Sequence, residues 1–336
     1  MTQPQAHLFN LIIYTQKNKR TDYIRKIADQ ITHKFPSRIL FISVESQAQS
    51  DFIEITKQEL QTDGINCNLL EIKSSEKNQE RIPFIILPHL VTDLPVYVLW
   101  TEDPAQDNPL SYTLENLASR LICDSESTSN LPQFAKLLLQ HLEKSKCAIA
   151  DLNWARMEKI REVLSMTFHS TDRLEQLKNT QSIHICYNAL ASEFFSHPNI
   201  QAIYLQTWLS QQMQWERKEI KKEKDKLLFV YNNQGKELNI TLEGVQKEGL
   251  SPGSIVSLDI TTSGQEHFAF KRDPKVPNQI ILENSSADKC GLPYTFIFPK
   301  GEAGASLVKE IFHRGTSAHF LKVLQNITTM DSSLLC

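Results

Sequence analysis

Glycine is scarce in this chain, and most of it lies towards the end. The sequence has 10 glycines in 336 residues, and Gly64 is the only one before Gly235. Loops that cradle nucleotide phosphates need glycine, because a side chain would keep the phosphates away from the backbone. Neither G-x-G-x-x-G nor G-x-x-x-x-G-K-[ST] therefore occurs in the first two thirds of the chain. We expect no conventional dinucleotide or Walker A site there, and no bound cofactor.

Motifs for metal binding and nucleophilic catalysis are also missing. The chain has no C-x-x-C, H-E-x-x-H or G-x-S-x-G segment, so we expect neither a metal site nor a serine hydrolase. Cys123 and Cys186 lie in apolar, strand-like runs, where we expect buried and inert thiols. Scattered cysteines in a chain of this size are typical of reduced thiols. They are Cys67, Cys123, Cys147, Cys186, Cys290 and Cys336.

An excess of charge of one sign and long apolar runs are absent too. The formal net charge is −3, so the chain lacks the basic field that attracts nucleic acid or an anionic membrane. Prolines and charge interrupt its most apolar stretch, 82–100, which therefore cannot span a bilayer. No positive charge precedes the short apolar run near the N-terminus, which argues against a signal peptide. We expect a soluble, cytoplasmic protein that binds neither nucleic acid nor membrane.

The first half alternates apolar, strand-like runs with helical periodicity. The run PVYVLW (95–100) is apolar at every position, which is typical of a central parallel strand covered on both faces. An amphipathic helix over 151–168, capped by Asp151 or Asn153, closes this half. We predict a layered α/β domain with a mostly parallel sheet over 1–172, ending in a polar linker near 170–180. Further predicted strands span 7–14, 38–44, 66–72 and 120–124, and further helices 21–33, 51–62, 110–119 and 132–144.

The second half has a different pattern. A long helix is predicted over 199–222, and the charged run RKEIKKEKDK (217–226) indicates its solvated end, with a partner-docking face as the alternative. Nine of the ten glycines fall in this half, as the turns of an antiparallel meander require. With a final helix over 305–326, we predict an α+β domain over 173–336. Its predicted strands span 182–187, 236–242, 254–260, 266–271, 279–283 and 294–298.

The segment KGEAGAS opens the predicted final helix. Glycines at a helix N-terminus can hold an anion, which makes this segment a weak candidate for an anion site. The favoured alternative is a glycine turn in which Ser306 is the N-cap of the helix. The candidate residues are Lys300, Gly301, Gly304 and Ser306.

The tryptophans all lie at apolar positions of predicted elements, so we expect them to pack in the core. Tryptophan and arginine are also favoured interface anchors. Arg156 and Arg161 lie beside one tryptophan near the predicted domain boundary, where they either join the two domains or contact a partner. The tryptophans are Trp100, Trp154, Trp208 and Trp215.

Four segments, in order, resemble the glucose-6-phosphate dehydrogenase assembly protein family, OpcA. DLPVYVLW (93–100) is similar to the family's LPV-x-x-W strand, and RLICDS (120–125) to its R-hydrophobic-DS segment. DLNWARMEKIRE (151–162) resembles the family's D-L-x-W-x-R with a second arginine, and IYLQTWLSQQMQW (203–215) its tryptophan-rich helix. Asp151 and the tryptophans and arginines named above are the family-motif residues in these segments.

This resemblance implies a non-catalytic partner of glucose-6-phosphate dehydrogenase. Members of the family promote assembly of the dehydrogenase and raise its activity allosterically, which favours NADPH supply through the oxidative pentose phosphate pathway. The dehydrogenase, and not this chain, would then bind NADP. Two alternatives stay open from the residues alone. One is an enzyme of the same pathway that binds a sugar phosphate near residues 301–306, and the other is a thiol-based redox regulator.

Overall fold

The computed structural model describes residues 7–62, 65–145, 147–300 and 304–335. By their contacts they form two compact units. The first contains the described residues of 1–128, 133–155 and 302–317, and the second those of 129–132, 156–301 and 318–336. The predicted α/β domain followed by an α+β domain is confirmed as the fold class. That 1–172 and 173–336 are independently folding domains stays a prediction.

The first unit is built on a mixed sheet with a parallel centre. In the described residues the strand order is β3-β4-β2-β1-β5-β6-β7, and only β3 is antiparallel to its neighbour. The predicted central position of the PVYVLW strand is confirmed, because β5 lies between β1 and β6. The strands are β1 (Asn10–Gln16), β2 (Arg38–Glu45), β3 (Ile53–Thr62), β4 (Ile65–Ser75), β5 (Val96–Trp100), β6 (Arg120–Cys123) and β7 (Ala148–Asp151).

Helices cover both faces of this sheet. Leu11 and Ile13 point to the face on which α1 and α9 pack, while Ile12 and Tyr14 are buried on the other face, where α3 contacts β5. A strand whose side chains are buried on both faces is what a sheet covered on two sides requires. The helices of the first unit are α1 (Thr21–Thr32), α2 (Ile82–Ile86), α3 (Pro109–Leu117), most of α4 (Leu131–Lys144), most of α5 (Leu152–Arg156) and α9 (Ala305–Phe312).

The second unit is built on a largely antiparallel sheet. Its order in the described residues is β15-β14-β13-β12-β8-β11-β10-β9, and β8 with β11 is the parallel pair. The predicted meander is the run from β12 to β15. The strands are β8 (Thr180–Asn188), β9 (Glu216–Glu223), β10 (Lys226–Asn233), β11 (Lys236–Val245), β12 (Ile255–Thr262), β13 (His267–Arg272), β14 (Gln279–Ser285) and β15 (Tyr294–Ile297).

One face of this second sheet is continuously apolar. Alternating residues such as Ile183, Ile240 and Phe270 are buried on the face that carries α8, while the opposite face presents mostly polar side chains, with Val230 and Ala269 buried among them. Helix α8 is buried on all sides because α10 packs against it as well. The helices are α6 (Glu158–Thr167), α7 (Thr171–Lys178), α8 (Ile200–Met213), α10 (Ala318–Ile327) and α11 (Ser332–Leu335). No helix in the described residues is both long and apolar enough to cross a membrane.

The predicted helix 51–62 is wrong, and the predicted helix 199–222 ends early at Met213, because the chain pairs as strands in both places. Residues 51–62 contain β3, which pairs antiparallel with β4 up to Thr62 opposite Ile65. The dipeptide Asp63-Gly64 between them is a hairpin signal, although it lies outside the described residues. The charged run 217–226 is not a helix end. The chain leaves α8 at Gln214 in a left-handed conformation (φ 58°) and forms the hairpin β9–β10, in which β9 is mostly exposed.

Other predicted helices begin or end in different places. The helix over 151–168 is divided, because Asp151 ends β7 and Met157 separates α5 from α6. The predicted polar linker contains helix α7, and Ser170 caps it by accepting a hydrogen bond from the Arg173 amide. The final helix over 305–326 is two helices, α9 and α10.

A buried ion pair joins the strand and helix ends of the first unit. Arg120 on β6 is 2% exposed and pairs with Glu310 on α9, which is 5% exposed. The same guanidinium donates to the carbonyl oxygens of His313 and Gly315, which follow α9. Because both charges lack water, each depends on the other for its stabilisation.

Removing one partner of this pair should be strongly destabilising. We expect Arg120→Leu to lower the free energy of unfolding by about 3–5 kcal/mol, since it leaves the Glu310 carboxylate buried without a counter-charge. The control is Lys271→Ala, which breaks a pair with Glu283 whose side chains are half exposed, and should cost under about 1 kcal/mol. Chemical denaturation measures both. Equal losses in the two variants would contradict the buried-pair interpretation, as would a double variant Arg120→Leu, Glu310→Leu no more stable than Arg120→Leu.

Candidate functional site

The carboxyl ends of the parallel strands form the candidate site. In the sheet, β2 and β4 lie on one side of β1, and β5, which follows them in the sequence, lies on the other side. In open parallel sheets such a switch point leaves a crevice beyond the strand ends, and ligands bind there. Here the crevice would lie between the ends of β1 and β5.

A glutamate closes this crevice. The carboxylate of Glu102, just after β5, accepts a hydrogen bond from the Gln16 amide at 2.7 Å and one from the Thr101 hydroxyl at 3.2 Å. These bonds fasten the end of β1 to the end of β5. A negative charge at this position also repels the phosphates of a nucleotide.

The turn from β1 into α1 is shaped by side chains and not by glycine. Its sequence is Lys17-Asn18-Lys19-Arg20. The Asn18 side chain accepts from the Arg20 amide at 2.8 Å, and the Thr21 hydroxyl donates to the Gln16 carbonyl at 3.0 Å. A phosphate-binding turn would leave its amides free to face the ligand. In this turn, side chains and backbone satisfy one another.

Arg20 spans the strand ends from this turn. Its Nη2 atom lies 2.6 Å from Oδ2 of Asp124, which follows β6 and is fully buried. The arginine side chain is only 13% exposed, so the pair is largely removed from water. Charge-assisted hydrogen bonds of this length are among the strong ones in proteins.

Asp151 connects two of the four motif segments. Its Oδ1 accepts from the Trp154 amide at 2.9 Å and caps α5, as the sequence predicted. Its Oδ2 accepts from the Ser125 amide at 2.8 Å. The Asn153 side chain adds a bond to the Ser125 hydroxyl at 3.0 Å and one to Glu126 at 3.1 Å. Hydrogen bonds therefore join the two segments RLICDS and DLNW into one structure.

We call Arg20, Glu102, Asp124, Asp151 and Asn153 the carboxyl-edge cluster. Burial raises the pKa of Glu102, and its hydrogen bond from the Gln16 amide opposes that shift. Burial, and secondly the negative charge of Asp124, raise the pKa of Asp151 to about 7, although the Trp154 and Ser125 amides oppose the rise. The cluster is therefore an acidic, protein-filled edge in which each carboxylate accepts hydrogen bonds from the protein itself.

An aromatic stack lies beneath the crevice. Trp100 at the end of β5 stacks on Tyr14 of β1, with ring centroids 4.2 Å apart and planes 9° from parallel. The Tyr14 hydroxyl accepts a hydrogen bond from the Asn108 amide group at 2.7 Å. Burial raises the pKa of Tyr14 to about 12, so the hydroxyl stays neutral. Trp100 therefore packs in the core, as expected from its apolar run.

The other predicted motif residues are dispersed. Trp154 is buried in the first unit, and Trp208 and Trp215 are buried in the second, where Trp215 lies beyond the end of α8 and not on it. Arg156 and Arg161 are half-buried in the second unit, and the Arg156 guanidinium lies 5.1 Å from the centroid of the Phe195 ring. That any of these residues contacts a partner, or that the arginines join the two domains, stays a prediction.

The structure explains one glycine of the predicted anion segment, Gly304. Gly304, and not Ser306, is the N-cap of α9, with φ +79°. A Cβ atom at Gly304 would lie 3.3 Å from the carbonyl oxygen of Ile27, so glycine allows α9 to approach α1 closely. Lys300 is exposed, Ser306 is half-buried, and Gly301 lies outside the described residues. Anion binding at this segment stays a prediction.

Two of the five members of the cluster, Arg20 and Glu102, were not indicated by the sequence, while Asn153 was predicted only as a helix cap and Asp124 only as part of the RLICDS segment. A usable signal was present, because Asp124 ends one predicted strand and Glu102 lies two residues beyond another. In a parallel sheet the carboxyl ends of all strands meet at one edge. Polar residues at those positions therefore come together even when they are distant in sequence.

The raised pKa of Asp151 gives stability a specific pH dependence. Between the ordinary aspartate pKa of about 4 and the folded value of about 7, the folded protein keeps a proton that the unfolded chain has lost. The Asp151 contribution to stability should therefore fall as the pH rises through this window, and stay constant above it. Asp151→Asn lacks this titration.

We expect the free energy of unfolding of the unmodified chain, relative to Asp151→Asn, to be larger at about pH 5 than at about pH 8. Chemical denaturation at both pH values measures this difference. Asp288→Asn, at an exposed position, controls for the substitution. A difference that stays constant, or grows with pH, would contradict the raised pKa.

Family models of a dehydrogenase subunit match this chain in both halves. The model described as the glucose-6-phosphate dehydrogenase subunit N-terminal domain matches residues 28–140, and the model of its C-terminal domain matches 147–290. Together they cover all four motif segments.

Curated relatives of the chain carry a related name. The "Putative OxPP cycle protein OpcA" of Nostoc punctiforme is 25% identical over 256 residues, which are 72% of this chain and 53% of that protein. The protein of the same name from Synechocystis sp. is 30% identical over 196 residues, 56% of this chain and 39% of that protein. The matched stretch thus spans about half the length, or less, of these relatives.

Solved structures of similar chain length resemble this chain more distantly. The "putative oxidoreductase yvaA" of Bacillus subtilis is 7% identical with a TM-score of 0.49, over 97% of each chain. The UDP-N-acetylglucosamine 3-dehydrogenase GnnA of Acidithiobacillus ferrooxidans is 10% identical with a TM-score of 0.44, over 98% of this chain and 100% of that one.

The motif segments, the two subunit models and the curated relatives all agree with one another. This chain belongs to the OpcA family of glucose-6-phosphate dehydrogenase assembly proteins.

Proposed function

We propose that this chain is a non-catalytic assembly factor and allosteric activator of glucose-6-phosphate dehydrogenase. In this role it acts in the cytoplasm and supports NADPH production by the oxidative pentose phosphate pathway. Family membership over both halves of the chain is the observation that carries the proposal. The printed name of the relatives, an OxPP cycle protein, supports the same pathway.

The carboxyl-edge cluster supports a non-catalytic role. The crevice at the switch point, where an open parallel sheet usually binds its ligand, is closed by Glu102 and by the pair of Arg20 with Asp124. A general acid or base must reach a substrate proton. Asp151 instead uses both its oxygens for backbone amides and is fully buried.

Activation by a binding partner requires differential affinity. If the dehydrogenase exchanges between a less active and a more active or assembled state, this chain must bind the second more tightly. A tenfold change in that equilibrium corresponds to about 1.4 kcal/mol of differential binding free energy. Such an amount can come from a few interface residues, so no catalytic group of this chain is needed.

The chain alone should not bind NADP. The turn after β1 has no glycine, and the Glu102 carboxylate lies where the phosphates of a dinucleotide would approach. Isothermal titration of NADP into the pure chain should give no saturable heat, while the same titration into the dehydrogenase serves as the positive control. Saturable binding in the micromolar range would contradict this interpretation of the crevice.

Mixing the chain with the dehydrogenase of the same cell tests the proposed function. We expect the dehydrogenase to sediment as a larger species, and its rate at subsaturating glucose 6-phosphate to rise. Serum albumin at equal concentration controls for crowding, and the chain incubated alone with sugar phosphates controls for turnover of its own. With a dehydrogenase that is active, an unchanged sedimentation and an unchanged rate would contradict the proposal, and turnover by the chain alone would favour the enzyme alternative.

A further inference from the structure

Three side chains that commonly bind metals meet on the polar face of the sheet in the second unit. His184 and Cys186 lie two residues apart on β8 and therefore point to the same face. Glu243 on β11 lies directly opposite Cys186 in the parallel pairing. We infer that His184, Cys186 and Glu243 form a binding site for a divalent cation of the zinc type.

The ligand atoms already lie near the spacing that zinc requires. Nε2 of His184 is 2.8 Å from Oε2 of Glu243 and 3.9 Å from Sγ of Cys186. All three atoms lie within 4.8 Å of one another. With the usual zinc bond lengths and tetrahedral angles, the nitrogen and oxygen would be about 3.4 Å apart, and the nitrogen and sulfur about 3.6 Å apart. Changes of under about 1 Å in these two separations would bring them to that geometry.

The electrostatic surroundings favour a cation at this place. The Lys226 ammonium lies 2.9 Å from Oε2 of Glu243, so a positive charge is already held there. Asp259, opposite His184 on β12, adds a further carboxylate to the same face. An incoming divalent ion would take the place of the ammonium next to Glu243, and Lys226 would turn towards solvent.

The type of ligand indicates which cation fits. A thiolate and an imidazole favour zinc over magnesium or calcium, which prefer oxygen ligands alone. Three protein ligands leave the fourth tetrahedral position for water, as in zinc sites that remain open. The His184 side chain is 41% exposed, so the ion can reach the site from solvent. This site is independent of the carboxyl-edge cluster and was not expected from the sequence, because Glu243 is distant in the chain from His184 and Cys186. The thiol of Cys186, which the sequence predicted to be buried, is half-buried.

Cobalt(II) is the probe that tests this site, because it replaces zinc and absorbs light when a thiolate binds it. Titration into the reduced full chain should produce a thiolate-to-cobalt charge-transfer band that saturates at one equivalent and disappears when zinc is added. C186S should lose the band. C290S, which removes an exposed thiol elsewhere in the same unit, should keep it.

Two further variants protect the test against a folding defect. H184A and E243Q should weaken cobalt binding by about tenfold or more, with thermal melting of the metal-free proteins unchanged. A band that persists in C186S, or no band at stoichiometric cobalt in the unmodified chain, would overturn the proposal. The His184–Glu243–Lys226 contacts would then be cross-strand ion pairs only.

Discussion

The ion pair between Arg20 and Asp124 is the contact on which the carboxyl edge of the first unit depends. It joins the beginning of α1 to the end of β6 across the strand ends, and both side chains are largely removed from water. A buried charge left alone is costly, so each of these residues fixes the position of the other. Glu102 and Asp151 complete the edge by accepting backbone hydrogen bonds from the neighbouring strand ends and loops. The sheet therefore has the topology of a ligand-binding α/β fold, whereas protein groups fill its crevice.

The filled crevice is consistent with the proposed non-catalytic role. Glycine loses more conformational entropy on folding than any other residue, so a glycine turn lowers stability. Such a turn is useful here only when a phosphate must approach the backbone. Here the turn after β1 uses Asn18 and Thr21 to satisfy its own amides and carbonyls. The strand ends that bind a nucleotide in other open parallel sheets are packed here with side chains of the protein itself. What remains available for a partner is the outer surface, including the one-sided sheet of the second unit.

Much of the fold could be predicted from the sequence, for identifiable reasons. The strand β5 was predicted as central because every residue from 95 to 100 is apolar, and burial on both faces leaves that pattern. Strands β3 and β9 could not be predicted, because the spacing of their charged residues fits a helix as well as a strand. They are strands because they pair with β4 and β10. The carboxyl-edge cluster, and the group of His184, Cys186 and Glu243 on the second sheet, form only because particular strands are neighbours. The periodicity of the sequence does not reveal which strands are neighbours.

Thermodynamic reciprocity provides the most direct test of the proposed role. If the chain activates the dehydrogenase by tightening its binding of glucose 6-phosphate, then glucose 6-phosphate must tighten the binding of the chain by the same factor. The affinity between the chain and the dehydrogenase should therefore be measured with and without saturating glucose 6-phosphate. We predict a lower Kd in its presence, equal in ratio to the change in substrate Kd that the chain causes. Equal values of Kd under both conditions would contradict allosteric activation through tighter binding of glucose 6-phosphate.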